Sequence, residues 1–472
     1  MTHNKGKNTG AKKSYTTRVF DAEASEREVK DRIAALLQDH PLEVLGGMIE
    51  NELDAQTQEV AFNYSFNCFI EDGAYAVYRA IQKVMGYSMH MPGPWMSPPQ
   101  TIDVKFADGS RIKVPWGTIA LPALGEDATV SMKYDYSART LHLHGECERR
   151  LQGWMDHIAE ATQHFLDTES IYRGRAIMLD GNMNPSFLNL EKYRDIPIYL
   201  SPTAEYNLMS IRARILHTDR CIQEGVDLKF GAIIVGEYGT GKTLLAFKTA
   251  LLANDNDWSF IYLKDPTKTK DMLKMARYLS SNGRGVLTFT EDIDMILTAE
   301  RTLDMNALLN EIDGGDTKKL PIISLFTTNH PEVIDPTMLR GKRTSKLIYL
   351  SALTAETASN FIGNKLGDMI VGTWENAAAL AEKLNVVPAF MEDILDTVIT
   401  NRITTGESTV TEQDVIAAIH SYESQMAMSR VRARTTYDFE QMMHLFSKIF
   451  IGVTVRENVD AALEAADLKR LT

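Results

Sequence analysis

The sequence has few of the features that mark secreted or membrane proteins. Among its 472 residues, no apolar run approaches the roughly 20 residues that a bilayer-spanning helix requires. The basic N-terminus has no apolar segment of the kind that a secretory signal carries. Cysteine occurs only three times, at scattered positions, and therefore predicts no structural disulfides. We expect a soluble cytoplasmic protein in a reducing compartment, with no membrane partner.

Positive charge is also scarce. The chain has 50 Lys and Arg against 63 Asp and Glu, which gives a net charge of −13 at pH 7. A protein whose main task is to coat nucleic acid needs an excess of positive charge, so this class of protein is not favoured. The net charge does not exclude a local basic groove. Internal repeats are absent too. The chain is long enough for two to four ordinary globular domains.

Changes in the sequence pattern predict six segments. The pattern before the four prolines of residues 91–100 is mostly helical, and the alternation around Asp108-Gly109 predicts a β-hairpin. Further expected elements are a helix from Cys147 to about Phe165 and a strand over Tyr172–Met178. The predicted segments are a disordered basic tail (1–20), a helical N-terminal region (21–95), an α+β partner domain with its linker (100–205), a large α/β subdomain (206–350), a helical lid (351–424) and a C-terminal extension (425–472).

A glycine-rich loop dominates the chemistry of the sequence. Residues 231–243 read GAIIVGEYGTGKT, a β-branched strand followed by the pattern G-x-x-x-x-G-K-[ST] and a helix. Backbone N–H groups of such a loop point at phosphate oxygens, Lys242 can reach the β- and γ-phosphates, and Thr243 can ligate Mg²⁺. A chance glycine-rich turn does not account for the strand and helix on its two sides. The predicted nucleotide-binding residues are Gly236, Glu237, Tyr238, Gly239, Thr240, Gly241, Lys242, Thr243 and Leu244.

Two acids follow a later apolar segment, the second expected strand after the glycine-rich loop. The segment VLTFTED places Glu291 and Asp292 directly after a strand at Val286–Thr290. Such a strand brings carboxylates beside a phosphate loop, where one acid can hold the Mg²⁺ shell and the other can orient the attacking water. The residues alone leave open which of Glu291 and Asp292 takes which role. The alternative is an acidic helix N-terminus, which is stabilised by the helix dipole without any catalytic role.

A further strand ends in an amide and is followed by a cationic segment. Asn329 follows the apolar residues 321–328 and can hydrogen-bond the same water or the γ-phosphate. Residues 340–346 contain several cations and no acid, so Arg343 can face an anion supplied from elsewhere. Taken singly, Asn329 is more typical of a polar group at a strand end, and Arg343 is more typical of a surface cation. Their order after the phosphate loop favours the catalytic interpretation.

With these motifs in order, residues 206–424 resemble the AAA+ ATPases. The resemblance rests on GEYGTGKT, FTEDID, LLNEIDGG at 308–315, FTTNHPEVIDPTMLRGKR and the expected helical lid. It implies an α/β fold in which a P-loop AAA+ core with a parallel sheet carries a helical lid, preceded by a helical segment and a small α+β domain. It also implies ATP and Mg²⁺ as cofactors.

The same resemblance assigns roles to individual residues. Lys242 and Thr243 match the Walker A pair, and Glu291-Asp292 takes the Walker B positions. Position in that motif implies that Glu291, with Thr243, is a ligand in the Mg²⁺ shell and that Asp292 orients the attacking water. Asn329 matches sensor 1. Arg343 takes the position of the arginine finger, which in AAA+ rings reaches the γ-phosphate bound by the neighbouring subunit. The second finger position holds Lys346 instead.

Two departures from the usual pattern distinguish this chain. The usual Walker B order is Asp then Glu, and here it is Glu291 then Asp292. The segment after the expected strand Trp258–Lys264 comprises residues 265–270. It is short and lacks the aromatic pore loop of AAA+ rings that thread polypeptides. Both features are similar to the branch that contains the mitochondrial ATPase that translocates the folded Rieske protein.

The sequence leaves three functions open. The first is a homo-oligomeric ring, a hexamer or heptamer, that uses ATP hydrolysis to remodel or move a protein partner bound by the N-terminal region. The second is an AAA+ ATPase that acts on nucleic acid, as a loader or recombination protein. The third is a nucleotide-dependent assembly switch with slow hydrolysis. The acidic balance of the chain favours the first over the second.

Overall fold

A computed structural model of the chain describes residues 53–86, 100–121, 128–280, 284–297, 320–331 and 346–428, together with residues 31, 51 and 124. The predicted basic tail, the prolines of 91–99, the segment 308–315, Arg343 and nearly all of the predicted C-terminal extension lie outside these residues. Within them, no helix is both long enough and apolar enough to cross a membrane.

The first part of the chain forms a four-stranded antiparallel sheet with two helices and a separate hairpin. The sheet has the strand order β1-β6-β5-β4, and β2 pairs with β3 in the hairpin that the sequence predicted. The elements are β1 (Glu59–Asn67), α1 (Ile70–Met85), β2 (Gln100–Lys105), β3 (Arg111–Trp116), β4 (Thr118–Ala120), β5 (Thr129–Asp135), β6 (Thr140–Glu148) and α2 (Gln152–Thr168).

Two expectations for this part were wrong in detail. Residues 59–67 were expected to be helical, but they form β1 and pair along their whole length with β6. Phe62 and Phe66 of β1 are buried while Asn63 and Ser65 are exposed, which is the period-two pattern of a half-buried strand. The helix expected to begin at Cys147 begins at Gln152, because Cys147 still belongs to β6. Residues on both sides of the proline-rich segment therefore share one core.

A seven-stranded sheet forms the second part. Its order is β13-β9-β12-β11-β10-β7-β8, and all neighbouring pairs are parallel except β7 with β8. Its elements are β7 (Ala176–Leu179), β8 (Pro185–Phe187), α3 (Pro202–Leu216), α4 (Thr218–Gln223), β9 (Phe230–Val235), α5 (Lys242–Asn254), β10 (Ser259–Leu263), α6 (Thr269–Leu279), β11 (Val286–Thr290), α7 (Asp294–Leu297), β12 (Ile322–Thr328) and β13 (Lys346–Tyr349). The predicted parallel α/β core is confirmed.

The sheet is covered on both faces, as buried parallel strands require. Along β9, Ile233 and Val235 join the apolar core that continues into the N-terminal part, whereas Ala232 and Ile234 face the core beneath α5 and α3. Of the strand expected at Tyr172–Met178, only the last three residues lie in a strand, β7, which pairs with β10 instead of joining the small sheet. The N-terminal part is thus packed directly on one face of the parallel sheet.

A buried carboxylate links the two parts. Asp72, in the first turn of α1, accepts hydrogen bonds from the hydroxyls of Ser170 and Tyr278 and from the backbone N–H of Ile171, the last at 2.9 Å. Tyr278 lies near the end of α6, on the second part. The helix α1 is therefore tied by a polar contact to α6, the helix that follows β10.

The third part is the predicted helical lid, which is confirmed. It contains α8 (Ala355–Leu366), α9 (Glu375–Lys383), α10 (Pro388–Thr405) and a last helical stretch at residues 412–428. Its helices have a separate apolar core. Thr354 begins α8 with a reciprocal capping box to Thr357, so the boundary between sheet and lid is set by local sequence.

Candidate nucleotide-binding site

The glycine-rich loop lies at the carboxyl end of β9 and leads into α5. Gly239 has a φ of 79°, a conformation that residues with a side chain rarely adopt. A Cβ added at Gly236 would lie 2.6 Å from both the carbonyl oxygen of Leu350 and the Thr240 hydroxyl. The loop therefore needs glycine at these positions for conformation and for space. Its backbone precedes the N-terminus of a helix, which is a natural anion site.

Lys242 is the first residue of α5, and its ammonium group is held inside the site. Its Nζ donates to the carbonyl oxygens of Gly236 and Glu237 at 2.8 and 2.9 Å and to Asn329 Oδ1 at 2.6 Å. Burial lowers the pKa of Lys242 to about 8, although the carboxylates of Asp292, Asp294 and Glu291 act in the opposite direction. The lysine is directed at the position where phosphates would lie.

Thr243 and Glu291 meet beside Lys242. The Thr243 hydroxyl donates to Glu291 Oε1 at 2.5 Å, and Tyr262 donates its phenolic hydroxyl to Glu291 Oε2 at 2.7 Å. Hydroxyl and carboxylate oxygens are the hard ligands that Mg²⁺ prefers. The donor set that the sequence predicted for a metal is therefore present as an adjacent pair.

Asp292 and Asn329 form the other side of the site. Asn329 Nδ2 donates to Asp292 Oδ1 at 3.2 Å, so this amide bridges Asp292 and Lys242. The backbone N–H of Asp292 donates to Thr327 Oγ1 at 3.0 Å. Asp292 itself has a φ of 46°, which is uncommon for a residue with a side chain and occurs often at functional sites. The end of β12 thus fixes both the position and the turn of this acid.

The charge state of Asp292 is also perturbed. Burial raises its pKa, the nearby carboxylates of Asp294 and Glu291 raise it further, and Lys242 and His330 lower it. Three acids are thus gathered against one lysine. Such an arrangement favours a ligand that brings a further cation, and it keeps Asp292 ready to accept a proton.

The lid closes the site from the other side. A cavity of about 750 Å³ extends from the loop and the acids to the segment Asp195–Tyr199 and to lid residues of α8 and α10. The backbone N–H of Ala389, at the start of α10, donates to the carbonyl oxygen of Gly239 at 3.1 Å. Tyr199 stacks on Phe361 of α8, with ring centroids 4.7 Å apart. The lid therefore contacts the glycine-rich loop directly.

The structure brings together the predicted residues that it describes. Lys242, Thr243, Glu291, Asp292 and Asn329 all line this one cavity, with Tyr238 to Leu244 of the loop, and Gly236 and Glu237 accept from Lys242. Lys346 begins β13. Arg343 lies outside the described residues, so its position stays a prediction.

The residues on the far side of the cavity were not predicted from the sequence. Asp195–Tyr199, Phe361 and Ala389 belong to no motif. Tyr262 was not predicted either, because it looks like an ordinary residue of an apolar strand. Each of these contacts depends on how separate segments pack, which a motif does not encode.

Comparisons with known proteins agree with this geometry. Residues 232–352 match the model of the family described as "ATPase family associated with various cellular activities (AAA)". The match covers the strands and loops that carry Lys242, Glu291, Asp292 and Asn329.

Curated relatives match over the same part of the chain. The mouse "Nuclear valosin-containing protein-like" is 27% identical over 157 residues, which are 30% of this chain and 18% of that protein. The "ATP-dependent zinc metalloprotease FtsH" of Helicobacter felis is 29% identical over 160 residues, 30% of this chain and 24% of that protein. The protein of the same name from Clostridium perfringens is 30% identical over 162 residues, 31% of this chain and 22% of that protein. The chain spans less than a quarter of the length of each of these relatives.

Proposed function

We propose that this chain, which carries an AAA ATPase domain at residues 232–352, binds ATP with Mg²⁺ and hydrolyses it. One observation carries the proposal. The lysine, hydroxyl, acids and amide that ATP hydrolysis requires line a single cavity between the glycine-rich loop and the lid. These five side chains come from α5, from the end of β11 and from the end of β12, so their convergence depends on the fold and not on sequence proximity.

The roles of the residues follow from their contacts. Lys242 neutralises phosphate charge, because its ammonium is directed into the site by three acceptors. Asp292 orients the attacking water and accepts its proton, since its raised pKa makes it a better base than an ordinary aspartate. Asn329 holds Asp292 and Lys242 at a fixed separation. Thr243 and Glu291 would hold the Mg²⁺, which supplies charge neutralisation for the phosphates.

Copies of the chain assemble into a ring in which neighbouring subunits share each active site. Phosphoryl transfer in this class uses an arginine from a neighbouring subunit, and Arg343 takes that position. The reversed acid order Glu291-Asp292 and the short segment after β10 make the chain similar to the AAA+ branch with the ATPase that translocates the folded Rieske protein. The ring, a hexamer or heptamer, remodels or moves a protein partner that the N-terminal part binds.

The segment after β10 supports a folded or assembled partner. Residues 264–268 join β10 to α6, and Pro266–Lys268 form a single 3-10 turn. Asp265 accepts from the N–H and hydroxyl of Thr267 at 3.0 and 2.6 Å, and Pro266 is buried. This tight turn has no aromatic side chain and little freedom to grip an extended polypeptide. Contact between the small sheet and α6 offers another route by which changes in the core reach the partner.

The test is ATP binding and turnover with a matched pair of lysine variants. Lys242→Ala is expected to lose hydrolysis and to bind ATP about 10- to 100-fold more weakly, because charge-assisted hydrogen bonds to the phosphates are lost. Lys248→Ala is the control, since Lys248 lies on the same helix but donates to the backbone of Arg194. Wild-type ATP affinity in Lys242→Ala by calorimetry would overturn the proposal. DNA is expected to leave the turnover rate unchanged, and strong stimulation by DNA would favour a nucleic-acid substrate.

A further inference from the structure

Tyr262 contacts Glu291, the acid that the proposed function assigns to the Mg²⁺ shell. It is the fourth residue of β10, and its side chain is 6% exposed. Its ring stacks on Phe289 of β11 with centroids 5.4 Å apart and meets Phe247 of α5 edge-on at 5.3 Å. The aromatic cluster leaves the ring little freedom, so the hydroxyl has a fixed direction. That direction is toward Glu291.

The two oxygens of Glu291 have different partners. Oε1 accepts from Thr243 at 2.5 Å, and Oε2 accepts from Tyr262 at 2.7 Å. The hydroxyl of Tyr262 is the donor in this contact, because an ionised carboxylate can only accept a hydrogen bond. A carboxylate held from both sides cannot turn its second oxygen toward the nucleotide. The oxygen that meets Thr243, Oε1, is thus the one beside the other predicted Mg²⁺ ligand.

We infer that Tyr262 is a positioning residue, which orients the longer acid of this chain so that Glu291 and Thr243 present one oxygen each to Mg²⁺. The inference rests on the proposed ATPase function. It also explains how glutamate serves where an aspartate is usual. Glutamate has one more methylene and one more rotatable bond, and the buried phenol removes the orientational freedom that this adds. Hydrogen-bonded groups behind metal ligands typically contribute 10- to 100-fold to metal affinity or activity.

The experiment removes only the hydroxyl. In Tyr262→Phe, the Mg²⁺ concentration for half-maximal ATP binding, measured with a fluorescent ATP analogue, is expected to rise about tenfold. Affinity for the analogue in EDTA and the thermal unfolding temperature are expected to stay at the wild-type values. Tyr193→Phe is the matched control, because the Tyr193 ring stacks on the same Phe247 with centroids 4.5 Å apart and its hydroxyl does not contact Glu291.

A second background separates positioning from packing. In Glu291→Asp, the shorter side chain does not reach both Thr243 and Tyr262, so adding Tyr262→Phe is expected to change the Mg²⁺ requirement no further. An equal effect of Tyr262→Phe in both backgrounds would overturn the inference, as would a loss of affinity in EDTA or a drop in unfolding temperature that Tyr193→Phe does not share. Failure of the wild-type chain to bind or hydrolyse ATP would instead refute the proposed function.

Discussion

Binding of ATP should be coupled to uptake of a proton by Lys242. Burial lowers the pKa of this lysine to about 8 in the chain without nucleotide. Phosphate groups favour the charged ammonium, so bound ATP raises that pKa again. Above pH 8, a growing fraction of the free protein must therefore gain a proton at Lys242 when ATP binds.

The size of the effect follows from the pKa. With a pKa of about 8, Lys242 is roughly one quarter neutral at pH 7.5 and roughly three quarters neutral at pH 8.5. Binding is thus expected to take up about a quarter of a proton at pH 7.5 and about three quarters at pH 8.5. The same linkage weakens ATP affinity by up to about tenfold for each pH unit above 8.

Calorimetry in buffers of different ionisation enthalpy measures this proton count. The titrations are done at pH 7.5 and 8.5. The phosphates of ATP stay ionised at both pH values, because their highest pKa is about 6. Lys242→Arg is the control, because a guanidinium keeps its proton at both pH values and should remove the increase. An uptake that is the same at both pH values, or that persists in Lys242→Arg, would refute the reasoning.

Three other substitutions test other parts of the structure. Asp292→Asn is expected to bind ATP but to lower turnover about 100-fold or more in an ATPase assay, and normal turnover here with loss in Glu291→Gln would reverse the two roles. Arg343→Ala is expected to lose about 10³-fold in turnover and to regain activity when mixed with Lys242→Ala subunits, unless the site is not shared. Asp72→Asn tests the buried link: burial raises the pKa of Asp72 from 3.8, so the folded state binds the proton more tightly than the unfolded state. Stability should fall as pH rises from about 3.8 through the raised pKa, and Asp72→Asn should flatten this dependence in thermal unfolding scans.

The parallel core and its phosphate site could be predicted because both depend on short-range patterns. The buried run Ile233–Val235, the loop after it and the acids after β11 lie where the sequence placed them. A loop that needs glycine for its conformation leaves a strong sequence signal, as Gly239 does. The start of the lid is also local in origin, because its first helix is capped by the neighbouring residues Thr354 and Thr357.

Sheet membership could not be predicted from the same patterns. β7 has four residues and β8 has three, and such short strands show alternation that fits either sheet. Their place beside β10 depends on pairing with a segment about eighty residues further along the chain. The strand β1 was missed for another reason. Helical patterns precede and follow it, so the alternation of Phe62, Tyr64 and Phe66 was interpreted as part of a helical region.

The contacts that sequence reasoning missed form a continuous path through the core. Tyr262 at the end of β10 contacts Glu291 in the phosphate site, and the chain then turns through residues 264–268 into α6. Near the end of α6, Tyr278 contacts Asp72 of the small sheet's first helix. One strand, one tight turn and one helix thus connect the acid beside Thr243 to the N-terminal part. The turn between the strand and the helix is short, and Asp265 and Pro266 accept hydrogen bonds from Thr267 and Thr269, so this path contains no long segment without local hydrogen bonds.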